Sequence, residues 1–164
     1  MRMELRAATS EDTREIGGAL ATLLRPGDAV ALTGELGAGK TTFVQGVARG
    51  LGFPGPVVSP TFTLVREYRG GRLALVHADV YRLERVQDVL DLGLDDTLAD
   101  GDAVLFVEWG DAVEALLPEG HLVLELTIPG ATEERRIVVR AVGEGWNTRW
   151  ERLEQALERW GAAP

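Results

Sequence analysis

Gly34-Glu35-Leu36-Gly37-Ala38-Gly39-Lys40-Thr41 forms a complete phosphate-binding loop. The apolar run Ala29-Val30-Ala31-Leu32 precedes it and predicts a buried strand. Thr42-Phe43-Val44-Gln45-Gly46-Val47-Ala48 follows with apolar residues at helical spacing. Strand, glycine-rich loop and helix together are the context such a loop requires, and a chance match lacks it. Backbone N–H groups of the loop turn inward around phosphate oxygens. Glycine leaves room for close approach, and the helix N-terminus adds unpaired N–H groups and a partial positive charge. The segment from Gly34 to Thr42 is therefore expected to cradle a nucleoside triphosphate. Lys40 would reach the β- and γ-phosphates and the Thr41 hydroxyl would ligate Mg²⁺.

Such a loop needs a carboxylate for Mg²⁺, usually at the end of a central strand. Leu73-Ala74-Leu75-Val76-His77-Ala78 ends at Asp79, and Ala103-Val104-Leu105-Phe106-Val107 ends at Glu108. Both acids are predicted at the carboxyl edge of a sheet, where ligands bind in open α/β folds. Arg82 follows Asp79 by three residues. It either stabilises charge developing on the γ-phosphate or forms a salt bridge to Asp79 or Glu84. The hydroxyls of Ser59-Pro60-Thr61-Phe62-Thr63 are read first as turn hydrogen-bonders.

The rest of the pattern extends an α/β domain. Residues 5–8 read as a short strand. Thr9-Ser10-Glu11-Asp12 matches a capping box, with Ile16, Ala19, Leu20, Leu23 and Leu24 on one helical face. Residues 61–68 and 73–76, separated by Gly70-Gly71, predict a β-hairpin. A short helix is expected over 85–92, a central strand over 103–107, and two further strands over 122–128 and 136–141. Thr148-Arg149-Trp150-Glu151 matches a second capping box, and Trp150, Leu153, Leu157 and Trp160 form a stripe read as core-docking. The expected architecture is a single P-loop NTPase-like α/β domain over 1–164, a central mixed sheet flanked by helices with antiparallel hairpin additions.

Bulk properties narrow the function. The 164 residues fit one domain with a real core. The chain has no cysteine and only two histidines, His77 and His121, which argues against disulfides and a typical zinc site. Its apolar runs are strand-sized and the first residues lack an apolar signal core, so a cytoplasmic protein with no membrane attachment is expected. A net charge of −9 disfavours independent tight binding to nucleic acid and favours a protein partner.

Four segments in series carry a resemblance. They are the loop through Thr42-Phe43, then Ser59-Pro60-Thr61-Phe62-Thr63-Leu64-Val65, then His77-Ala78-Asp79-Val80-Tyr81-Arg82-Leu83, and Val107-Glu108-Trp109. In content, order and spacing they resemble the TsaE (formerly YjeE) family over roughly residues 10–140. The resemblance implies an ATPase of bacterial tRNA modification, acting with TsaB and TsaD in making N6-threonylcarbamoyladenosine. TsaD transfers the threonylcarbamoyl group, and ATP hydrolysis at the assembled complex supports repeated turnover. It implies ATP and Mg²⁺ as cofactors, activity that depends on the partners, and contact with tRNA only through the complex.

By position, the resemblance makes Lys40 the phosphate lysine and Thr41 with Glu108 the magnesium ligands. Asp79 would order Mg²⁺ or the attacking water, and Arg82 would lie near the phosphates. Trp109 would support partner contact or packing, residues from Ser10 to Thr13 would meet the base end, and Arg136 would be a further nucleotide contact. Ala78 and Val80 depart from a common phenylalanine and leucine, and Gly110-Asp111 stands where proline-containing turns are common. The main rival, a small-molecule P-loop kinase, needs an acceptor pocket and usually a lid. A nucleotide-gated binding module is another. A GTPase switch is a second alternative, against which stands that Asn147 is the only asparagine, so the usual Asn-Lys-x-Asp guanine reader cannot exist.

Overall fold

A computed structural model describes residues 1–35, 37–60, 65–79, 93, 101–108, 117–130 and 132–162. The elements in chain order are β1 (Arg2–Ala7), α1 (Ser10–Ala21), β2 (Ala29–Thr33), α2 (Lys40–Gly50), β3 (Val65–Tyr68), β4 (Ala74–Asp79), β5 (Ala103–Glu108), β6 (His121–Thr127), β7 (Arg135–Val142) and α3 (Trp150–Leu157), followed by a 3₁₀ turn at Glu158–Trp160. The strands form one seven-stranded sheet in the order β1-β7-β6-β2-β5-β4-β3. Strands β6, β2, β5 and β4 run parallel. Antiparallel pairs β3–β4, β6–β7 and β1–β7 extend the sheet at both sides. The expected mixed sheet with hairpin additions is therefore what forms.

Burial explains the central strands. Strands β4 and β5 are buried at every position, as parallel strands covered on both faces are. One face carries Val30, Leu32, Phe106, Leu122, Leu124, Ile137 and Val139, packed with Ile16, Leu20, Phe43, Val47, Leu153 and Leu157 from the helices. The other carries smaller side chains, Ala29, Ala31, Val76, Ala78, Leu105 and Val107. Trp150, Leu153 and Leu157 are buried and Trp160 packs against the same core, so the α3 stripe docks inward.

Helices α1 and α2 meet backbone to backbone. A Cβ at Gly46 would lie 2.0 Å from the Arg14 carbonyl oxygen, and one at Gly17 would lie 2.4 Å from that of Phe43. Only glycine permits this approach.

Some boundaries differ from the sequence reading. Strand β1 begins at Arg2, because its whole length pairs with β7 from Arg2↔Arg140 to Ala7↔Arg135. At α1 the Thr9 hydroxyl accepts from the Asp12 N–H at 3.1 Å, as a capping residue should. The Asp12 carboxylate answers to the Ala8 N–H, one residue before the cap. The second capping box does not form. Helix α3 starts at Trp150 with Arg149 at its cap and no side-chain cap bond. The Arg149 guanidinium is instead held at Asp28, which fixes that turn. The predicted helix over 85–92 and the first four residues of the predicted strand over 61–68 lie outside the described residues.

Candidate active site

The sheet order sets the site. Strand β2 lies between β5 and β6, both parallel to it, and the chain leaves β2 at the carboxyl edge into the loop. That is the crevice at which open α/β sheets bind ligands. Within the loop, Gly34 has φ of 146° and Gly39 has φ of 102°, conformations that favour glycine. A side chain at Gly34 would also strike the Leu126 carbonyl oxygen on β6, 2.5 Å away. The loop delivers the chain into α2, whose first residues are Lys40 and Thr41. Lys40 Nζ donates to the Gly34 carbonyl at 2.8 Å, so the ammonium arches back over the loop it serves.

Asp79 and Glu108 end β4 and β5 and stand opposite one another in register. Alternation along the strands puts both on the helix-covered face, with Leu75, Val104 and Phe106. Both are buried, and they share a side-chain hydrogen bond. Burial, then the charge of Asp79, pushes the Glu108 carboxyl up to about 7, with Lys40 pulling the other way. His77 is fully buried on the same face, its Nε2 3.9 Å from Glu108 Oε1. Burial holds its imidazole down to about 4; the Asp79 charge opposes this and Lys40 adds to it.

These residues fit Mg²⁺ with a triphosphate. Two adjacent buried carboxyls set against each other form an acidic pair suited to a cation. Among the described residues no three His, Asp or Glu side chains gather into a cage. Magnesium typically takes one or two carboxylates and completes its shell with phosphate oxygens and water. Thr41 on α2 and the Asp79–Glu108 pair supply that kind of partial set.

The second wall comes from α1 and the β6–β7 turn. A Cβ at Gly39 would lie 3.9 Å from Arg135 Nε and 4.0 Å from the Thr13 methyl group. Arg135 Nε donates to the Ala38 carbonyl at 3.1 Å and its Nη2 to that of Gly37 at 3.3 Å. Ser10 Oγ donates to Glu133 at 3.0 Å, which ties the start of α1 to the same turn.

Arg136, expected as a nucleotide contact, is not brought to the loop. It pairs with Glu4 at 2.6 Å on the exposed side of the sheet. The loop's arginine is Arg135, because neighbouring strand residues face opposite ways. Gly34, Glu35, Gly37, Ala38 and Gly39 lie in the stretch between β2 and α2, and Lys40, Thr41 and Thr42 are the first residues of α2. Leu36, Arg82 and Trp109 lie outside the described residues.

A separate cleft of about 370 Å³ lies beside the later turns of α2. Its polar groups bond to each other or to nearby chain. Arg14 donates to Gln45, Gln45 to the Val57 carbonyl, and Arg49 to Glu11. The chemistry therefore concentrates at the loop. Among the described residues no helix is long and apolar enough to cross a membrane.

The sequence model of the family described as "Threonylcarbamoyl adenosine biosynthesis protein TsaE" matches residues 7–138. The chain is 42% identical over 158 residues to the tRNA threonylcarbamoyladenosine biosynthesis protein TsaE of Bacillus subtilis, covering 96% of this chain and 95% of that one. It is 45% identical over 141 residues to the same-named protein of Streptomyces coelicolor, covering 82% of this chain and 94% of that one. The crystal structure of YdiB from Bacillus subtilis superposes with a TM-score of 0.77 at 38% identity, over 97% of this chain and 95% of that one.

Proposed function

The chain belongs to the TsaE family, and from that premise we propose that it is the Mg²⁺-dependent ATPase of tRNA threonylcarbamoyladenosine biosynthesis, working with TsaD and TsaB. The observation that carries the ATPase reading is the meeting of Asp79 and Glu108 on one face beside the Lys40 charge, at the edge where the phosphate loop opens. A loop and a helix N-terminus alone would serve any anion. The added acidic pair suits a divalent cation escorting a triphosphate.

In this reading the Lys40 ammonium exchanges the Gly34 carbonyl for β- and γ-phosphate oxygens. The loop amides would surround the phosphates, and Thr41 and Glu108 would hold Mg²⁺. When bound, the ion would supply positive charge against the negative charge of the phosphate oxygens. Asp79 orders the ion's shell or the attacking water. Arg82, three residues beyond β4, stabilises the γ-phosphate charge. Water attacks the γ-phosphorus, the β–γ bridging bond breaks, and ADP and phosphate leave. Arg135 engages the Gly37 and Ala38 carbonyls, which leaves the loop's amides for the phosphates. With a net charge of −9, tRNA is reached through the partner complex rather than by this chain alone.

The test is calorimetry of Mg·ATP binding followed by ATP turnover with and without purified TsaB–TsaD. Binding with turnover stimulated by the pair supports the reading. No heat with any purine triphosphate on folded protein overturns the site. Rapid phosphorylation of one metabolite, indifferent to the pair, overturns the ATPase role in favour of a kinase.

A further inference from the structure

His77 is a fully buried ring, and among the described residues neither of its nitrogens has a hydrogen-bond partner. An apolar side chain of similar volume would fill the same space without leaving a buried donor unsatisfied. Packing therefore does not account for a histidine here, but its position does. Alternation along β4 places His77 on the face of Asp79, and Asp79 stands in register with Glu108. The ring thus lies one step behind the acidic pair. Its Nε2 is 3.9 Å from Glu108 Oε1, within about 1 Å of hydrogen-bond range.

We propose that His77 is a positioning residue for Glu108: its ring N–H donates to one carboxylate oxygen when the other turns to the metal. That bond would fix which oxygen faces the ion and stop the carboxylate from rotating back towards Asp79. Partners of this kind orient metal-binding side chains, and their loss typically costs 10–100-fold in metal affinity. The proposal rests on the assignment of Glu108 as a magnesium ligand.

Two measurements on the full chain test it: thermal melting without nucleotide, and the Mg²⁺ concentration that half-saturates binding of a fluorescent ATP analogue. His77→Leu removes the donor and fills the space. It should melt no lower than wild type yet need about tenfold more Mg²⁺, with analogue binding in chelator unchanged. His77→Asn retains an N–H donor and should recover part of the difference. If the leucine variant does not fold, His77→Phe takes its place beside His77→Asn. A wild-type magnesium requirement in the folded apolar variant overturns the proposal. Equal losses in the apolar and asparagine variants also overturn it, since they would reveal a packing role. Wild-type protein with no magnesium-dependent binding would sink the metal assignment itself rather than the part given to His77.

Discussion

Two buried acidic sites in this chain are solved in opposite ways. Asp28, just before β2, meets Arg149 across the fold in a two-pronged pair at 2.6 and 2.9 Å. The same guanidinium donates to the Leu23 carbonyl and lies 3.8 Å from the Trp146 ring centre. At the other end of the strands, Asp79 and Glu108 are set against each other and beside an imidazole with no hydrogen bond among the described residues. The first site is a closed ion pair that anchors the entry of the loop strand to the segment before α3. The second has acids facing acids, which is stable only with a proton or a cation between them. Both sites are buried, so burial does not separate structure from chemistry here. The matching of partners does.

Breaking the closed site should have the largest effect on stability. Arg149→Ala leaves Asp28 buried without its cation and should cost about 3–5 kcal/mol. Denaturant unfolding measures this, and ATP affinity per folded molecule should hold. A loss under 1 kcal/mol would show that the clasp is not a structural anchor. At the open site the expected pattern reverses. Lys40→Ala should fold normally and lose about 100-fold or more in partner-stimulated turnover, as steady-state phosphate release would show.

The pH dependence of the nucleotide-free protein sharpens the contrast. Folded Glu108 keeps its proton to about pH 7, against an ordinary value of 4.5. Its contribution to stability is full below 4.5 and is lost as pH rises through 7. His77 runs the other way, at about 4 folded against 6.5 unfolded. Its contribution is present above 6.5 and is lost as pH falls through 4. The two slopes oppose each other between pH 4.5 and 6.5. Glu108→Gln should therefore unmask stability that rises with pH, and His77→Leu stability that falls. Denaturation curves taken stepwise across that window check this, and parallel profiles for all three proteins would refute it.

The smallest effect separates the two neighbouring arginines. Arg135→Ala should weaken Mg·ATP binding about tenfold by freeing the Gly37 and Ala38 carbonyls. Arg136→Ala should leave it unchanged in the same titration, because its partner is the exposed Glu4.

Most of the site was legible because its signals are local or end a strand. The loop, its strand and its helix follow one another in sequence. Asp79 and Glu108 announce themselves as polar residues closing apolar runs. What escaped depends on direction across the sheet. Arg135 and Arg136 are adjacent and equally basic, and only the parity set by buried Ile137 and Val139 sends Arg135 to the helix-covered face. That parity was not legible in the sequence, because Ile137, Val138 and Val139 are consecutive apolar residues with no alternation. His77 gave no warning, since a lone histidine in an apolar strand acquires meaning only once β4 and β5 are in register. The Asp28–Arg149 pair was illegible for a simpler reason: its partners lie 121 residues apart. Thr148-x-x-Glu151 misled because the capping pattern is local and the long-range ion pair overrides it.

The glycine seam between α1 and α2 has a mechanical consequence. With backbone pressed on backbone at Gly17 and Gly46, and with Arg14 bonded to Gln45 and Arg49 to Glu11 across the same seam, the helices cannot slip past one another without breaking those contacts. The two helices behave as one plank with the phosphate cup at its end. A partner that gripped the outer surface of α1 would hold α2, and Lys40 at its start, through that same seam.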